Sequence, residues 1–162
     1  MSETLESGKV ITSWSEVRDS SEVTRDIYGQ VWKKTSGAMV KVGKEFLVNQ
    51  ESSGLQLDPS IAVYKKGIFV VVFEEVLSGS TAKRVKLQVW NAACADGASP
   101  VRIGTEILVY SCPGDCWNTN PEIAFMGNNR FGVVYVNTDK KIALRIFEDQ
   151  TGAGSLIPIG SE

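Results

Sequence analysis

The sequence contains no histidine. Without an imidazole, the chain cannot form a Ser-His-Asp triad, a Cys-His nucleophile pair or a metal site with histidine ligands. Its charge is also nearly balanced, with 17 basic and 19 acidic side chains and a formal net charge of −2. Such a balance produces no long-range field that would attract nucleic acid or an anionic membrane surface. We therefore expect no nucleic-acid partner.

Long apolar runs and helical periodicity are absent as well. No segment reaches the roughly 18 consecutive apolar residues that a membrane-spanning helix requires. The first nine residues are polar and acidic, unlike the basic and then apolar start of a secretory signal. We therefore expect no membrane insertion. The apolar residues, 43% of the chain, are instead sufficient for a soluble core.

Cysteine is scarce, with residues at 94, 112 and 116. The segment from Cys112 to Cys116 reads Cys-Pro-Gly-Asp-Cys, a turn sequence that brings its two ends together. It predicts either a small disulfide between Cys112 and Cys116 or two free thiols, and Cys94 is left over in both cases. Cys112, Asp115 and Cys116 are too crowded in one turn to hold a metal without further ligands. We expect no metal and no cofactor.

What the sequence does contain is one pattern that recurs in the same order at intervals of about 60 residues. An apolar segment ending in an aromatic residue occurs at 10–14, 68–73 and 131–135. A second apolar segment occurs at 27–32, 85–90 and 142–147. A third follows a glycine at 43–48, 104–109 and 154–159, and the motif Pro-x-Ile-Ala occurs at 59–62 and 121–124. This order indicates an internal repeat.

The segments have the period of strands, because apolar side chains alternate with polar ones in most of them. Segment 68–73 is apolar throughout, which is typical of a strand buried on both faces. We predict an all-β fold of three degenerate four-stranded antiparallel blades, a partial or self-assembling β-propeller. The single repeat domain, 1–162, divides into units at about 9–50, 57–111 and 119–160.

Three blades do not complete a propeller, which needs roughly four to eight. The first unit also lacks an innermost strand, because its pattern begins at Val10. Two arrangements would complete the ring. Two chains associate as a dimer with six blades, or the chain belongs to a longer parent protein.

The first repeat resembles the tandem β-propeller-like repeats of large secreted or surface proteins from bacteria and ciliates. Their pattern is Ile-Tyr-Gly-Gln-x-Phe, then Gly-x-Glu-Phe-x-Val-Asn, then Pro-x-Ile-Ala, then Phe-Val-Val-x-Trp. The corresponding segments lie here at 27–32, 43–49, 59–62 and 69–73. The match is good over 10–73 and weaker over 84–147. The resemblance implies a propeller-like architecture and an extracellular or cell-surface location, and it carries over no catalytic residues; the sequence leaves a cytoplasmic location open.

Aromatic residues divide into a repeated set and one outlier. The repeated set predicts packing between blades: Trp14, Trp32, Trp90, Tyr135 and Phe147. Trp117 lies outside the repeat in a polar loop, where an aromatic ring is a common way to hold a sugar or a partner protein. Trp117, Asn118 and Asn120 therefore form the candidate ligand-binding site.

Carboxylates are the remaining catalytic candidates. A glycosidase needs two of them facing each other, and Asp58, Asp96 and Asp115 lie at predicted strand ends. Glu74 and Glu75 are neighbours on opposite faces of one strand and are expected to be salt-bridging or edge residues. We assign no catalytic residue and predict a noncatalytic binding or structural module, not an enzyme, that contacts protein or glycan through its loops. The alternatives are a glycan-binding lectin and a fragment of a carboxylate-dependent glycoside hydrolase.

Overall fold

The computed structural model describes residues 1–5, 8–17, 24–92, 97–112, 114 and 119–160. These residues form three four-stranded antiparallel sheets. The first sheet contains β1 (Ser2–Thr4), β2 (Lys9–Glu16), β3 (Asp26–Thr35) and β4 (Ala38–Leu47). The second contains β5 (Leu55–Val63), β6 (Ile68–Val76), β7 (Lys83–Asn91) and β8 (Val101–Cys112). The third contains β9 (Glu122–Gly127), β10 (Arg130–Val136), β11 (Ile142–Asp149) and β12 (Leu156–Ile159).

Each sheet is a meander, in which strands that follow one another in the chain are hydrogen-bonded neighbours. The predicted all-β fold of three four-stranded antiparallel units is thus confirmed. The sheets of the described residues do not close into a ring. A short 3₁₀ helix, Lys65–Gly67, connects β5 to β6. No helix in the described part of the chain has the length and apolar composition needed to cross a membrane.

The first sheet differs from the prediction, because it does have an innermost strand. Strand β1 pairs with β2 through Ser2 to Thr4. These three residues are exposed and polar, so they lack the apolar alternation that marks a strand in the sequence. This strand is defined only by its backbone hydrogen bonds to β2, and not by any side-chain pattern.

The core lies between the sheets, in two layers that meet at β6. Phe69, Val71 and Phe73 pack against the first sheet, whereas Val70 and Val72 pack against the third. All five side chains are buried, as predicted for a strand covered on both faces. Stacking on both sides is needed because a single four-stranded sheet cannot bury its own apolar surface.

Three of the five repeated aromatic residues serve this packing. Trp90, Tyr135 and Phe147 are buried between sheets, which confirms the prediction for them. The Trp90 ring lies 4.7 Å from that of Phe46 in the first sheet, and the Arg102 guanidinium lies 4.9 Å from its centre. Burial of a large aromatic side chain stabilises a fold by about 1.5–3 kcal/mol.

The glycines at the start of the third repeated segment lie inside strands. Gly43 in β4 and Gly104 in β8 have φ angles of 69° and 65°, and the register with the paired strand shifts there. At each bulge a buried glutamine donates from Nε2 to the carbonyl before the glycine. Gln30 binds the oxygen of Val42 at 3.1 Å, and Gln88 binds that of Ile103 at 3.0 Å. The repeat therefore preserves a bulge and the side chain that satisfies it.

Candidate functional site

A cleft of about 540 Å³ opens where the three sheets meet along their inner strands. The first sheet contributes its N-terminus and β2, the second contributes β5, and the third contributes the segment that enters β9. Its lining residues are Met1, Ser13, Trp14, Asp58, Pro59, Asn120, Pro121 and Glu122. Because all three sheets contribute, the cleft exists only when they are stacked.

The backbone is kinked in the same way at two repeat-related points of the cleft. Asp58 and Asn120 have φ angles of 49° and 39°, and each precedes a proline. The left-handed region is uncommon for residues other than glycine, and Asp and Asn adopt it most readily. At Asp58 the kink coincides with a register shift between β5 and β6. Strained backbone of this kind clusters at functional sites.

A hydrogen bond between the inner strands β5 and β9 holds the Glu122 carboxylate in place at the edge of the cleft. Ser60 Oγ donates to Glu122 Oε2 at 2.5 Å and accepts from the backbone N–H of Ile123 at 3.3 Å. This contact links β5 to β9 directly beside Asp58. It therefore fixes the Glu122 carboxylate relative to the second sheet.

The buried carboxylate of Glu74 anchors the segment that enters β9. Its Oε2 accepts hydrogen bonds from the Thr119 backbone N–H and hydroxyl, and its Oε1 is 2.9 Å from Lys83 Nζ. The Thr119 carbonyl in turn accepts from the Val136 N–H at 2.9 Å. Since Thr119 precedes Asn120, these contacts position the third sheet's contribution to the cleft. The ion pairs expected for Glu74 and Glu75 are present.

Trp14 provides an aromatic surface at the first sheet's edge of the cleft. The side chain is half-buried, its Nε1 donates to Glu16 Oε2 at 2.9 Å, and its ring centre lies 6.4 Å from that of Tyr28. The repeat pattern assigned Trp14 to packing between blades, and it did not indicate that Trp14 borders a polar cleft. An aromatic ring beside hydroxyl, amide and carboxylate groups suits a ligand with both apolar and polar faces.

A second polar cavity, of about 360 Å³, lies between β7 and β8 of the second sheet and the segment that follows β4. Lys86 Nζ there contacts carboxylate oxygens of Glu75, Glu106 and Glu51 at 2.9, 3.0 and 3.3 Å. Burial acts to lower the pKa of Lys86, but the hydrogen bonds and charges of Glu75 and Glu106 outweigh it and raise that pKa above its ordinary value. The network joins three strands of the second sheet and, through Glu51, connects them to the segment between β4 and β5.

The candidate binding residues from the sequence have separate outcomes. Asn120 lies at the cleft, while Trp117 and Asn118 lie outside the described residues. Asp58, predicted to lie at a strand end, lies instead inside β5 at its register shift. It comes together with Asn120 at the cleft, a combination that the sequence alone did not indicate. Asp96 and Asp115 lie outside the described residues.

Cys112 is disulfide-bonded. Cys116 and Cys94 lie outside the described residues, so the pairing of Cys112 with Cys116 stays a prediction. Within the described parts of the chain, no group of three or more Cys, Asp or Glu side chains is arranged to hold a metal ion.

Solved structures with the same fold are sialidases. The chain matches Trypanosoma rangeli sialidase, in complex with the inhibitor DANA, with a TM-score of 0.54 and 7% identity. The match covers 97% of this chain and 29% of that one. Hadza microbial sialidase Hz136 matches with a TM-score of 0.55 and 13% identity, over 96% of this chain and 35% of that one. No protein-family model matches the sequence, and no curated protein matches it.

The likeness fits a partial β-propeller, and the chain spans between 29% and 35% of the length of these sialidases. The prediction that the chain is not an enzyme is therefore wrong, because the solved structures that share its fold are enzymes. Identities of 7% and 13% establish the fold alone and assign no catalytic residue. The sequence motifs of the tandem repeats have no matching family to support them, whereas the propeller-like architecture that they implied is supported.

Proposed function

We propose that the chain is a propeller module that binds a neutral carbohydrate in the cleft between its three sheets. The observation that carries this proposal is the meeting of Trp14, Asp58, Asn120 and Glu122 around one cavity. A sugar ring has apolar C–H faces that stack on an indole and hydroxyls that bind carboxylates and amides. The cleft supplies both kinds of group.

The charge of the cleft favours a neutral sugar over sialic acid. Its two ionisable side chains, Asp58 and Glu122, are both acidic, and no described lining residue is lysine or arginine. The ammonium group of Met1 is hydrogen-bonded to the Ser13 carbonyl at 3.0 Å. A sugar carboxylate is usually held by arginine, whose planar group binds it through two hydrogen bonds. An anionic sugar would meet repulsion here.

An extracellular or cell-surface location is part of the same proposal. The disulfide at Cys112 supports it, because disulfides persist in oxidising compartments. The resemblance of the first repeat to repeats of secreted and surface proteins supports it independently.

A panel of neutral and sialylated oligosaccharides tests the proposal, with affinities measured by calorimetry. We expect binding of neutral glycans and a loss on the order of tenfold, equivalent to about 1.4 kcal/mol, in Trp14→Ala and in Asn120→Ala. Asn128→Ala is the matched control, because Asn128 is also exposed and left-handed but lies in the β9–β10 turn. Absence of binding, or a preference for sialylated glycans, would contradict the proposal.

A second candidate function is hydrolysis of a glycosidic bond, favoured by the presence of Asp58 and Glu122 in the same cleft. Two carboxylates that face each other across a sugar provide an acid and a nucleophile or base. The test is release of the aryl group from neutral aryl glycosides. Activity that Asp58→Asn and Glu122→Gln abolish, and that Asp139→Asn in an exposed turn leaves intact, would establish it. Binding without turnover would refute it.

A further inference from the structure

The two ends of the sheet stack expose opposite halves of one repeated interface. We call the side of a sheet that faces the preceding sheet its head face, and the side that faces the following sheet its tail face. The structure contains this interface twice, where the second sheet's head face meets the first sheet and its tail face meets the third. The head face of the first sheet and the tail face of the third have no neighbouring sheet among the described residues.

The tail face of the third sheet has the composition of a covered surface. Ile142 and Leu144 in β11 correspond in the repeat to Val85 and Leu87 in β7. Val85 and Leu87 are 0% exposed because the third sheet covers them, whereas Ile142 and Leu144 are 82% and 55% exposed. Further exposed apolar residues extend the patch across the sheet: Met126, Val134, Ile157 and Ile159. A continuous apolar face of this kind indicates an interaction surface.

The head face of the first sheet is suited to cover such a surface. Val10 and Trp32 correspond in the repeat to Phe69 and Trp90, which are buried against the preceding sheet. In the first sheet they are only half-buried, and Trp32 is held by a 3.0 Å hydrogen bond from Nε1 to Thr12 Oγ1. One of the two large rings that elsewhere fill the interface, that of Trp32, is thus present at this end, and a valine stands in place of the other.

We infer that the tail face of the third sheet docks onto the head face of a second copy of this chain. Both faces belong to one molecule, and each continues the stacking already formed between its own sheets. Two copies then make two equivalent head-to-tail contacts related by a twofold axis. The product has six blades, within the range of roughly four to eight in closed propellers. Ring closure removes both apolar faces from water.

The solution mass of the full chain tests the inference. Light scattering during size exclusion is expected to give about twice the 17.6 kDa chain mass. Leu144→Glu is expected to yield a monomer at the same concentration, because it places a charge in the tail face. Val101→Glu is the control, since Val101 is 60% exposed at the start of β8 and belongs to neither open face.

A mixing experiment separates docking from misfolding. Val10→Glu blocks the head face and Leu144→Glu blocks the tail face. Each variant alone is expected to be monomeric with the wild-type circular dichroism spectrum, whereas an equimolar mixture retains one intact head-to-tail contact and is expected to form a heterodimer. A monomeric wild-type chain overturns the inference, as does a dimer that Leu144→Glu leaves intact. Trp14, the repeat equivalent of Phe73, lies on the head face as well as at the cleft. Glycan affinity is therefore also measured on the Leu144→Glu variant, whose substitution is in the tail face, so either proposal can fail without the other.

Discussion

Ser60 and Glu122, which occupy equivalent positions of the second and third repeats, are joined by a hydrogen bond of 2.5 Å between neighbouring inner strands. The same Ser60 oxygen accepts the backbone N–H of Ile123. One hydroxyl thus both links two sheets and fixes a carboxylate of the cleft. Its removal has separable consequences for stability and for binding.

Ser60→Ala is expected to lower the free energy of unfolding by about 1–3 kcal/mol, the cost of leaving a buried N–H without a partner. It also frees the Glu122 carboxylate, so we expect weaker glycan binding in the folded protein. Urea unfolding and calorimetry measure the two effects. Ser99→Ala is the control, because Ser99 also connects two sheets, through Lys44, but lies far from the cleft residues in an exposed segment. Equal glycan affinities in the two variants would contradict the role of Ser60.

Glu74→Gln is expected to destabilise the protein and to weaken ligand binding together. The change leaves the buried ammonium of Lys83 facing a neutral amide, and loss of one member of a buried ion pair costs about 3–5 kcal/mol. It also weakens the anchor for Thr119, beside Asn120. Thr119→Val separates the effects, since it removes only the hydroxyl bond to Glu74. If Thr119→Val binds glycan as well as wild type, the hydroxyl bond is not needed for binding; if Glu74→Gln also does so, Glu74 does not position the cleft.

The repeat landmarks made the architecture predictable, because strands that pack between sheets must alternate or be apolar throughout. Strand β6 is the clearest case, with every residue from Ile68 to Glu75 buried. Strand β1 was missed because backbone bonding alone forms it. Gly43 and Gly104 predict the starts of strands, because a glycine indicates that regular structure is interrupted but not how. In the structure each glycine lies at a bulge inside a strand.

The cleft is only partly predictable, since its members come from three sheets that are separated by about 45 to 60 residues in the chain. The polar loop predicts Asn120 as a site residue, whereas Asp58 is predicted at a strand end and lies instead at an irregularity inside β5. The role of Trp14 was hidden because its repeat equivalents, Phe73 and Tyr135, are buried packing residues. Trp14, unlike Phe73 and Tyr135, borders open space, and this is evident only from how the sheets stack. The sequence contains one repeated feature at the site, an Asp or Asn followed by proline at 58–59 and 120–121. Its relation to the cleft is evident only from the left-handed backbone angles of Asp58 and Asn120.

Gly29→Ala tests the close contact between β3 and β4. A Cβ at Gly29 would lie 2.4 Å from the Phe46 ring, which is packed against Phe69 and Trp90 and cannot move away freely. We expect a loss of about 1–3 kcal/mol in the free energy of unfolding, as in overpacked cores. Gly132→Ala is the control, because its nearest contact is the flexible end of the exposed Met126 side chain. A similar loss in both variants would contradict the argument.

Lys86→Met tests the ion network of the second sheet and the segment that follows β4 by its dependence on pH. The pKa of Lys86 is raised in the folded protein, so its contribution to stability is complete below the unfolded value of about 10.4 and is lost as pH rises through the folded value. At pH 8 the variant leaves the buried Glu75 without its lysine, and we expect a cost of about 3–5 kcal/mol.

The difference in unfolding free energy between wild type and Lys86→Met should therefore narrow in urea titrations carried above pH 10.5. Lys41→Met serves as the control, because the ion pair of Lys41 with Glu45 is largely exposed and is expected to contribute no more than about 1 kcal/mol. A difference that stays constant up to strongly alkaline pH would mean that Lys86 stabilises the protein by packing of its alkyl chain, and not by its charge.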